Sequence, residues 1–174
     1  KHGRVQANSS FFSVKPQKNT CLYLNVSYLY TPLTRLMQAY PVLTFAHAIP
    51  DVVERYAANP AMAFVGEEPL TYAGMGSRIR ATMAFLEGNG IRPGDKVVIL
   101  SQNMPHWGIV YFALQCMGVV AVPVLPEFSA AEVEHVLQHS EARAVFISES
   151  LAHRLKEISS VSPELVVRID YMEV

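Results

Sequence analysis

Few side chains in this sequence stand at spacings that support chemistry. His135 and His139 are four residues apart in the run HVLQH, and two imidazoles at that spacing on one helix face can bind a metal ion. The glutamate that follows the first histidine in helical metalloprotease motifs is absent. Because no further ligand set is identifiable, the pattern favours a solvated helix end, with His139 near the negative pole of the helix dipole.

A second pattern involves two glycines. Gly74 and Gly76 match the first two positions of the dinucleotide-binding pattern G-x-G-x-x-G, but Ile79 stands at the third. The residues before them are typical of a β-hairpin arm and not of a buried parallel strand. The glycines therefore indicate close packing in the first turns of a helix rather than a cofactor site.

The remaining candidates stand alone. His106 lies between a predicted strand and a predicted helix, which is the edge of a parallel sheet where ligands bind, but one histidine without an orienting partner favours a surface or capping role. Cys116 lies in an apolar helix and is expected to be inert packing, and Asp95 belongs to a turn. Cys21 and Cys116 are too few for a disulfide scaffold. With no G-x-x-x-x-G-K-[ST], G-x-S-x-G or C-x-x-C motif present, we assign no catalytic, cofactor-binding or metal-ligating residue.

Composition sets the class of protein. The chain has 174 residues, of which 51% are hydrophobic and 17% charged, so it can bury a core and forms one ordinary domain or part of a larger one. Its net charge of −1 excludes the global basic field expected of a nucleic-acid-binding protein.

The first 43 residues differ from the rest. No acidic residue precedes Asp51, and the chain begins with Lys1. The apolar run over residues 21–30 is a poor secretory segment, because Asn25 and Ser27 interrupt it. The glycosylation sequons at Asn8 and Asn25 are short enough to arise by chance. We therefore predict a poorly ordered or non-native leader over residues 1–43 and a partial domain over residues 44–174.

Residues 97–126 carry no charged side chain, and residues 107–125 are long enough to cross a membrane. Gly118 and Pro123 break this stretch into two shorter elements. We expect a buried helix that is capped by Asn103, has Pro105 in its first turn and ends at Gly118, followed by a buried strand.

The order of elements predicts the fold class. A helix over residues 44–56 precedes a hairpin formed by residues 61–65 and 70–72. A helix over residues 73–87, capped by Thr71, follows. Strands are expected at residues 96–100, 119–122, 144–148 and 165–170, with helices starting near Pro105, Ser129 and Ser150 between them. This order predicts an α/β fold, an open and mostly parallel sheet with helices on both faces, preceded by a β-hairpin.

Residues 53–150 resemble the opening segment of the AMP-forming acyl-CoA synthetases, the adenylate-forming ligases. The similarity rests on motifs in order: LTY, GIRPGDKVVIL, NMPHW, VVAVPV, HVLQHSEAR and AVFIS. The last blocks are most similar to bacterial long-chain fatty acid–CoA ligases. Gly74 departs from the family pattern, in which glutamate is common at this position and would complete a capping box with Thr71.

The resemblance implies a reaction. The family activates a carboxylate with ATP to an acyl-adenylate, with Mg²⁺, and transfers the acyl group to coenzyme A. The resemblance places the phosphate loop with its lysine, the Thr-Glu motif, the ribose-binding aspartate and the mobile lysine later in the family's chain, so none is carried over to residues 1–174. We therefore expect an inactive fragment of a cytoplasmic fatty acid ligase, with ATP, Mg²⁺ and coenzyme A needed only by the full-length enzyme.

The expected partners follow from the same resemblance. They are a fatty acid in the full-length enzyme, no nucleic acid, and a membrane at most peripherally. The alternative is a non-catalytic α/β scaffold or interaction domain. If the sheet gains further strands from later sequence, the strands at 144–148 and 165–170 should be partly uncovered.

Overall fold

The computed structural model describes residues 44–172. The predicted leader, Cys21 and both sequons lie outside the described residues. The strands are β1 (Pro60–Met62), β2 (Leu70–Thr71), β3 (Lys96–Leu100), β4 (Val120–Val124), β5 (Ala144–Ile147) and β6 (Leu165–Arg168). The helices are α1 (Phe45–Arg55), α2 (Tyr72–Gly88), α3 (Pro105–Met117), α4 (Ala130–Ser140) and α5 (His153–Lys156), with a 3₁₀ turn at Glu149–Leu151.

Two sheets form, as the sequence predicts. Strands β1 and β2 pair antiparallel as the hairpin. Strands β3 to β6 form a four-stranded sheet in the order β4-β3-β5-β6, and every neighbouring pair is parallel. The chain moves from β3 to β4 on one side and then crosses back to β5 on the other, so the strand order reverses between β3 and β5.

Alternation along the strands separates the two faces of the sheet. Ile99 and Phe146 join one buried cluster with side chains of α2 and α3, whereas Val98 and Val145 join another with side chains of α4. Helix α1 packs outside α2 and α3 and makes a third cluster with them. The prediction of helices on both faces is confirmed, because strands that are apolar on both sides require cover on both.

Helix starts show where local chemistry decides the structure. The Thr71 hydroxyl accepts a hydrogen bond from the Gly74 amide at 3.2 Å, which confirms the predicted cap of α2. Ser129 and Glu132 form the predicted capping box of α4. Asn103 does not cap α3: Met104 occupies that position, and α3 begins without a side-chain cap. Pro105 in the first turn lacks an amide hydrogen, so it leaves one donor fewer to satisfy there.

The apolar stretch over residues 97–126 folds as three short elements. Gly118 ends α3 with φ +69°, a left-handed conformation that glycine adopts without steric cost. Within residues 44–172 no helix is both long enough and apolar enough to span a bilayer.

The position of β4 differs from the prediction of a buried strand. It lies at the edge of the sheet, and the Val120 side chain is 48% exposed. Pro123 lies inside this strand rather than after it. An edge strand tolerates proline because, among residues 44–172, no strand pairs with one side of its backbone.

The expectation that residues 144–148 would be partly uncovered is wrong. Strand β5 lies between β3 and β6, and all four of its residues are buried. Strand β6 is the other edge.

Other bounds shift by a few residues. The first hairpin strand is Pro60–Met62 rather than residues 61–65, and the last strand ends at Arg168 rather than at residue 170. The helix predicted to start near Ser150 is divided into the 3₁₀ turn and α5. Pro50 lies inside α1.

Candidate functional site

A binding site is expected at the point where the strand order reverses, because ligands of open α/β sheets bind there, beyond the carboxyl ends of the strands. Strands β3 and β5 are followed by Ser101 and Ser148, whose side chains are only 3% and 1% exposed. The Ser101 hydroxyl donates to the Gln102 carbonyl at 2.9 Å, and the Ser148 hydroxyl lies 3.4 Å from that of Ser150. These hydroxyls satisfy one another and the local backbone, so they support the strand ends rather than form a binding set.

A cavity of 470 Å³ opens beside this edge, on the face covered by α2 and α3. Its lining residues are Arg78, Ala81, Thr82, Phe85, His106, Ile109, Val167, Tyr171 and Met172. Most of this wall is apolar, and Arg78 and His106 supply its basic groups. The cavity therefore combines an apolar body with one polar corner, the usual composition of a small-molecule site.

Arg78 and His106 form that polar corner. They come from α2 and from the start of α3, and Arg78 Nη1 lies 3.4 Å from His106 Nε2. Since a guanidinium can only donate, Nε2 accepts and the imidazole proton resides on Nδ1. His106 Nδ1 is buried and has no hydrogen-bond partner among residues 44–172.

The electrostatics of His106 agree with a neutral ring. Burial lowers the pKa of His106, the Arg78 charge lowers it further, and Asp170 acts in the opposite direction. The cationic Arg78 is a hydrogen-bond donor at the corner, which suits a carboxylate or carbonyl oxygen, whereas the Nδ1 proton of the neutral His106 is buried. A cation beside a neutral imidazole in an apolar cavity is an arrangement that can bind the polar group of a small molecule.

Sequence reasoning placed His106 at this edge correctly and missed Arg78. Arg78 lies 28 residues before its partner and follows no local motif, so only the packing of α2 against α3 brings the two together. Tyr171 and Met172 follow the last strand and were likewise not singled out.

The two glycines of α2 have the packing role that the sequence indicates. A methyl group on Gly74 would lie 2.7 Å from Leu70 Cδ1, and one on Gly76 would lie 2.5 Å from Val53 Cγ1. Side chains of this protein already occupy the space that a dinucleotide phosphate would need. The glycines therefore let α2 approach the hairpin and α1.

Asp95 lies in its predicted turn but takes part in a larger network. Its carboxylate accepts from the Arg92 amide at 2.7 Å and from the Arg143 guanidinium at 2.9 Å, and Arg143 also contacts Glu164 at 2.6 Å. The Arg92 amide and the Arg143 side chain lower the pKa of Asp95. These residues precede β3, β5 and β6, so the network joins the amino ends of three strands, opposite the candidate site.

The other candidates stay apart from the cavity. Cys116 is a free, half-buried cysteine in α3, and burial raises the pKa of its thiol, which disfavours the reactive thiolate. His135 and His139 lie together on α4, on the opposite face of the sheet from the cavity. Among residues 44–172, no group of three or more histidine, cysteine, aspartate or glutamate side chains could hold a metal ion.

Comparison with known proteins identifies the family. Residues 49–173 match the AMP-binding enzyme family. A long-chain-fatty-acid–CoA ligase of Escherichia coli O6:H1 is 34% identical over 107 residues, which cover 61% of this chain and 19% of that protein. The mitochondrial acyl-coenzyme A synthetase ACSM5 of Mus musculus is 28% identical over 136 residues, which cover 72% of this chain and 24% of that protein. The chain thus spans about a fifth to a quarter of the length of these relatives.

The fold agrees with this result. The N-terminal domain of FACL13 from Mycobacterium tuberculosis superposes with a TM-score of 0.69 at 21% identity, covering 74% of this chain and 34% of that one. The α/β sheet with its preceding hairpin is therefore the fold found in the N-terminal domains of adenylate-forming ligases. From the family match over most of its length, the chain belongs to the AMP-binding enzyme family.

Proposed function

We propose that this chain contributes the opening part of the large domain of an AMP-forming acyl-CoA synthetase. The complete enzyme activates a long-chain fatty acid with ATP to an acyl-adenylate and transfers the acyl group to coenzyme A. The observation that carries the proposal is the family match over residues 49–173, and the names of the bacterial relatives support the long-chain substrate.

Within this proposal, residues 44–174 form a partial AMP-binding domain and residues 1–43 are a leader outside it. The role of the described residues is to build the sheet on which the rest of the domain assembles. We place the enzyme in the cytoplasm, with peripheral membrane contact at most and no nucleic-acid partner.

The residues described do not suit ATP or Mg²⁺. ATP needs a cradle of backbone amides and a lysine, and Mg²⁺ needs several oxygen ligands, usually carboxylates together with the phosphates. Residues 44–172 contain neither a G-x-x-x-x-G-K-[ST] loop nor a cluster of three potential ligands. We therefore derive no catalytic step from them and expect the 174-residue chain to be inactive by itself.

The first experiment is to read the coding sequence beyond Val174. We expect an open reading frame that continues into a Ser/Thr/Gly-rich loop ending in lysine. A stop codon directly after Val174 would overturn it and would favour the alternative, a non-catalytic scaffold or interaction domain.

The second experiment measures fatty-acid-dependent exchange of pyrophosphate into ATP. The longer chain should exchange and then form acyl-CoA from a long-chain fatty acid, whereas the 174-residue chain should not exceed the blank. Replacement of the loop lysine by alanine in the longer chain is the matched control and should abolish exchange. Exchange by the 174-residue chain itself would show that it holds nucleotide machinery, contrary to the proposal.

A further inference from the structure

Helix α4 exposes two histidines to solvent, and its backbone is fixed by a cap and by a buried inner face. The capping box of Ser129 and Glu132 secures the start of the helix, and Val133 and Leu137 are buried against the sheet. His135 and His139 lie on the outward side, and both are exposed. The inner face therefore fixes the backbone while the two imidazoles remain free to rotate.

The two rings face each other. Their centroids are 6.1 Å apart and their planes differ by 10°. Two imidazole nitrogens bound to one metal ion, each at about 2.0–2.1 Å, lie about 3.4 Å apart in a tetrahedral arrangement. Rotation of the two exposed side chains about χ1 and χ2 can bring one nitrogen of each ring to this separation without any movement of the helix.

We propose that His135 and His139 form a surface site for a divalent transition metal of the kind that prefers imidazole, namely Cu²⁺, Ni²⁺ or Zn²⁺. The site lies on the face of the sheet opposite the Arg78–His106 cavity and goes beyond the proposed ligase function. Glu132, one turn earlier on the same side, is already engaged by the amide and hydroxyl of Ser129 at 2.8 and 2.7 Å. The protein thus supplies two ligands, and water fills the other positions.

The position along the helix adds to the attraction. His139 is one residue from the end of α4, where the last carbonyls carry partial negative charge. A bound dication is therefore placed at the favourable pole of the helix. The general order of affinities for nitrogen ligands puts Cu²⁺ above Ni²⁺ and Zn²⁺, and all three above Mn²⁺.

Isothermal titration of the untagged chain with NiCl₂ and with CuCl₂ tests the site. One equivalent should bind, more tightly for Cu²⁺. His135→Ala and His139→Ala should each weaken binding by about tenfold or more, because the second imidazole acts as an intramolecular ligand at high effective concentration. His153→Ala removes another exposed histidine and should leave the affinity unchanged.

Both helix variants change exposed side chains, so their melting curves in the presence of EDTA should match that of the unchanged protein. NMR spectroscopy then identifies the histidines that bind the metal. Paramagnetic Cu²⁺ should broaden the signals of His135 and His139 before those of the other histidines. Binding that persists in either α4 variant, or broadening that begins at another histidine, would overturn the proposal.

Discussion

The order of strands in the parallel sheet can be tested with one pair of matched substitutions. Val145 lies in the central strand β5 with 0% of its surface exposed, and Val120 lies in the edge strand β4 with 48% exposed. Val145→Ala and Val120→Ala remove the same two methyl groups from a strand. Because strand preference itself reflects packing against neighbours, a difference between the two variants reports on packing and burial at the two positions.

The magnitudes follow from that burial. Removing two buried methyl groups costs about 1.6 kcal/mol of transfer free energy. The cavity left at Val145, closed in by α4 and the neighbouring strands, adds about 0.5–1 kcal/mol. We expect Val145→Ala to lower the free energy of unfolding by about 2–3 kcal/mol, whereas Val120→Ala loses about half the transfer term and opens no cavity, or about 0.8 kcal/mol.

Urea unfolding measures both values, with the fluorescence of Trp107, the single tryptophan of the chain, and far-ultraviolet circular dichroism as independent probes. Equal slopes against urea concentration in all three proteins are required for the comparison. If the two variants differ by less than about 0.5 kcal/mol, β5 is not the enclosed central strand, and the strand order β4-β3-β5-β6 is refuted.

Three further predictions concern a helix cap, a close contact between two helices and a charged turn. Ser129→Ala removes the cap of α4 and should lower the free energy of unfolding by about 1 kcal/mol, whereas Ser129→Asp, which restores an acceptor, should recover most of it in thermal melts. Gly76→Ala places a methyl group 2.5 Å from Val53 Cγ1. The overpacking cost of about 1–3 kcal/mol should exceed the gain of about 1 kcal/mol in helix preference, so the variant should be less stable. A higher melting temperature of the variant would contradict the close approach of α1 and α2. The pKa of Asp95 is lower in the folded protein than its ordinary value, so the ionised carboxylate stabilises the folded state. This stabilisation is fully present above about pH 4 and is lost as the pH falls through the pKa of Asp95 in the folded protein. The stability advantage of the unchanged protein over Asp95→Asn should therefore shrink in unfolding experiments at progressively lower pH. An advantage that does not shrink would argue against the contacts that lower this pKa, which Asp95 makes with the Arg92 amide and the Arg143 guanidinium.

Helix and strand identities could be predicted because each depends on signals within a few residues. Continuous apolar runs such as residues 97–100 indicate strands covered on both faces, and the Ser129–Glu132 pair marks a helix start. The cap of α3 was misassigned because Asn103 and Met104 are adjacent and only the backbone conformation decides which one precedes the first turn.

The candidate site could be predicted from the sequence only in part. His106 could be placed at the carboxyl edge because a strand precedes it and a helix follows. The partnership with Arg78 joins two helices, and no spacing in the chain reports how those helices pack. The same holds for the network that joins Asp95 to Arg143 and Glu164.

The α/β class, the parallel sheet with its preceding hairpin and the resemblance to adenylate-forming ligases could all be predicted, because periodicity, turn residues and ordered motifs are properties of the linear chain. The placement of β4 at an edge and of β5 in the centre depends instead on contacts between distant segments. A buried strand and an edge strand can carry the same apolar residues, and the difference lies in which neighbours the crossovers bring beside them. The polar corner of Arg78 and His106 arises in the same way, from helices whose packing partners are far apart in the chain.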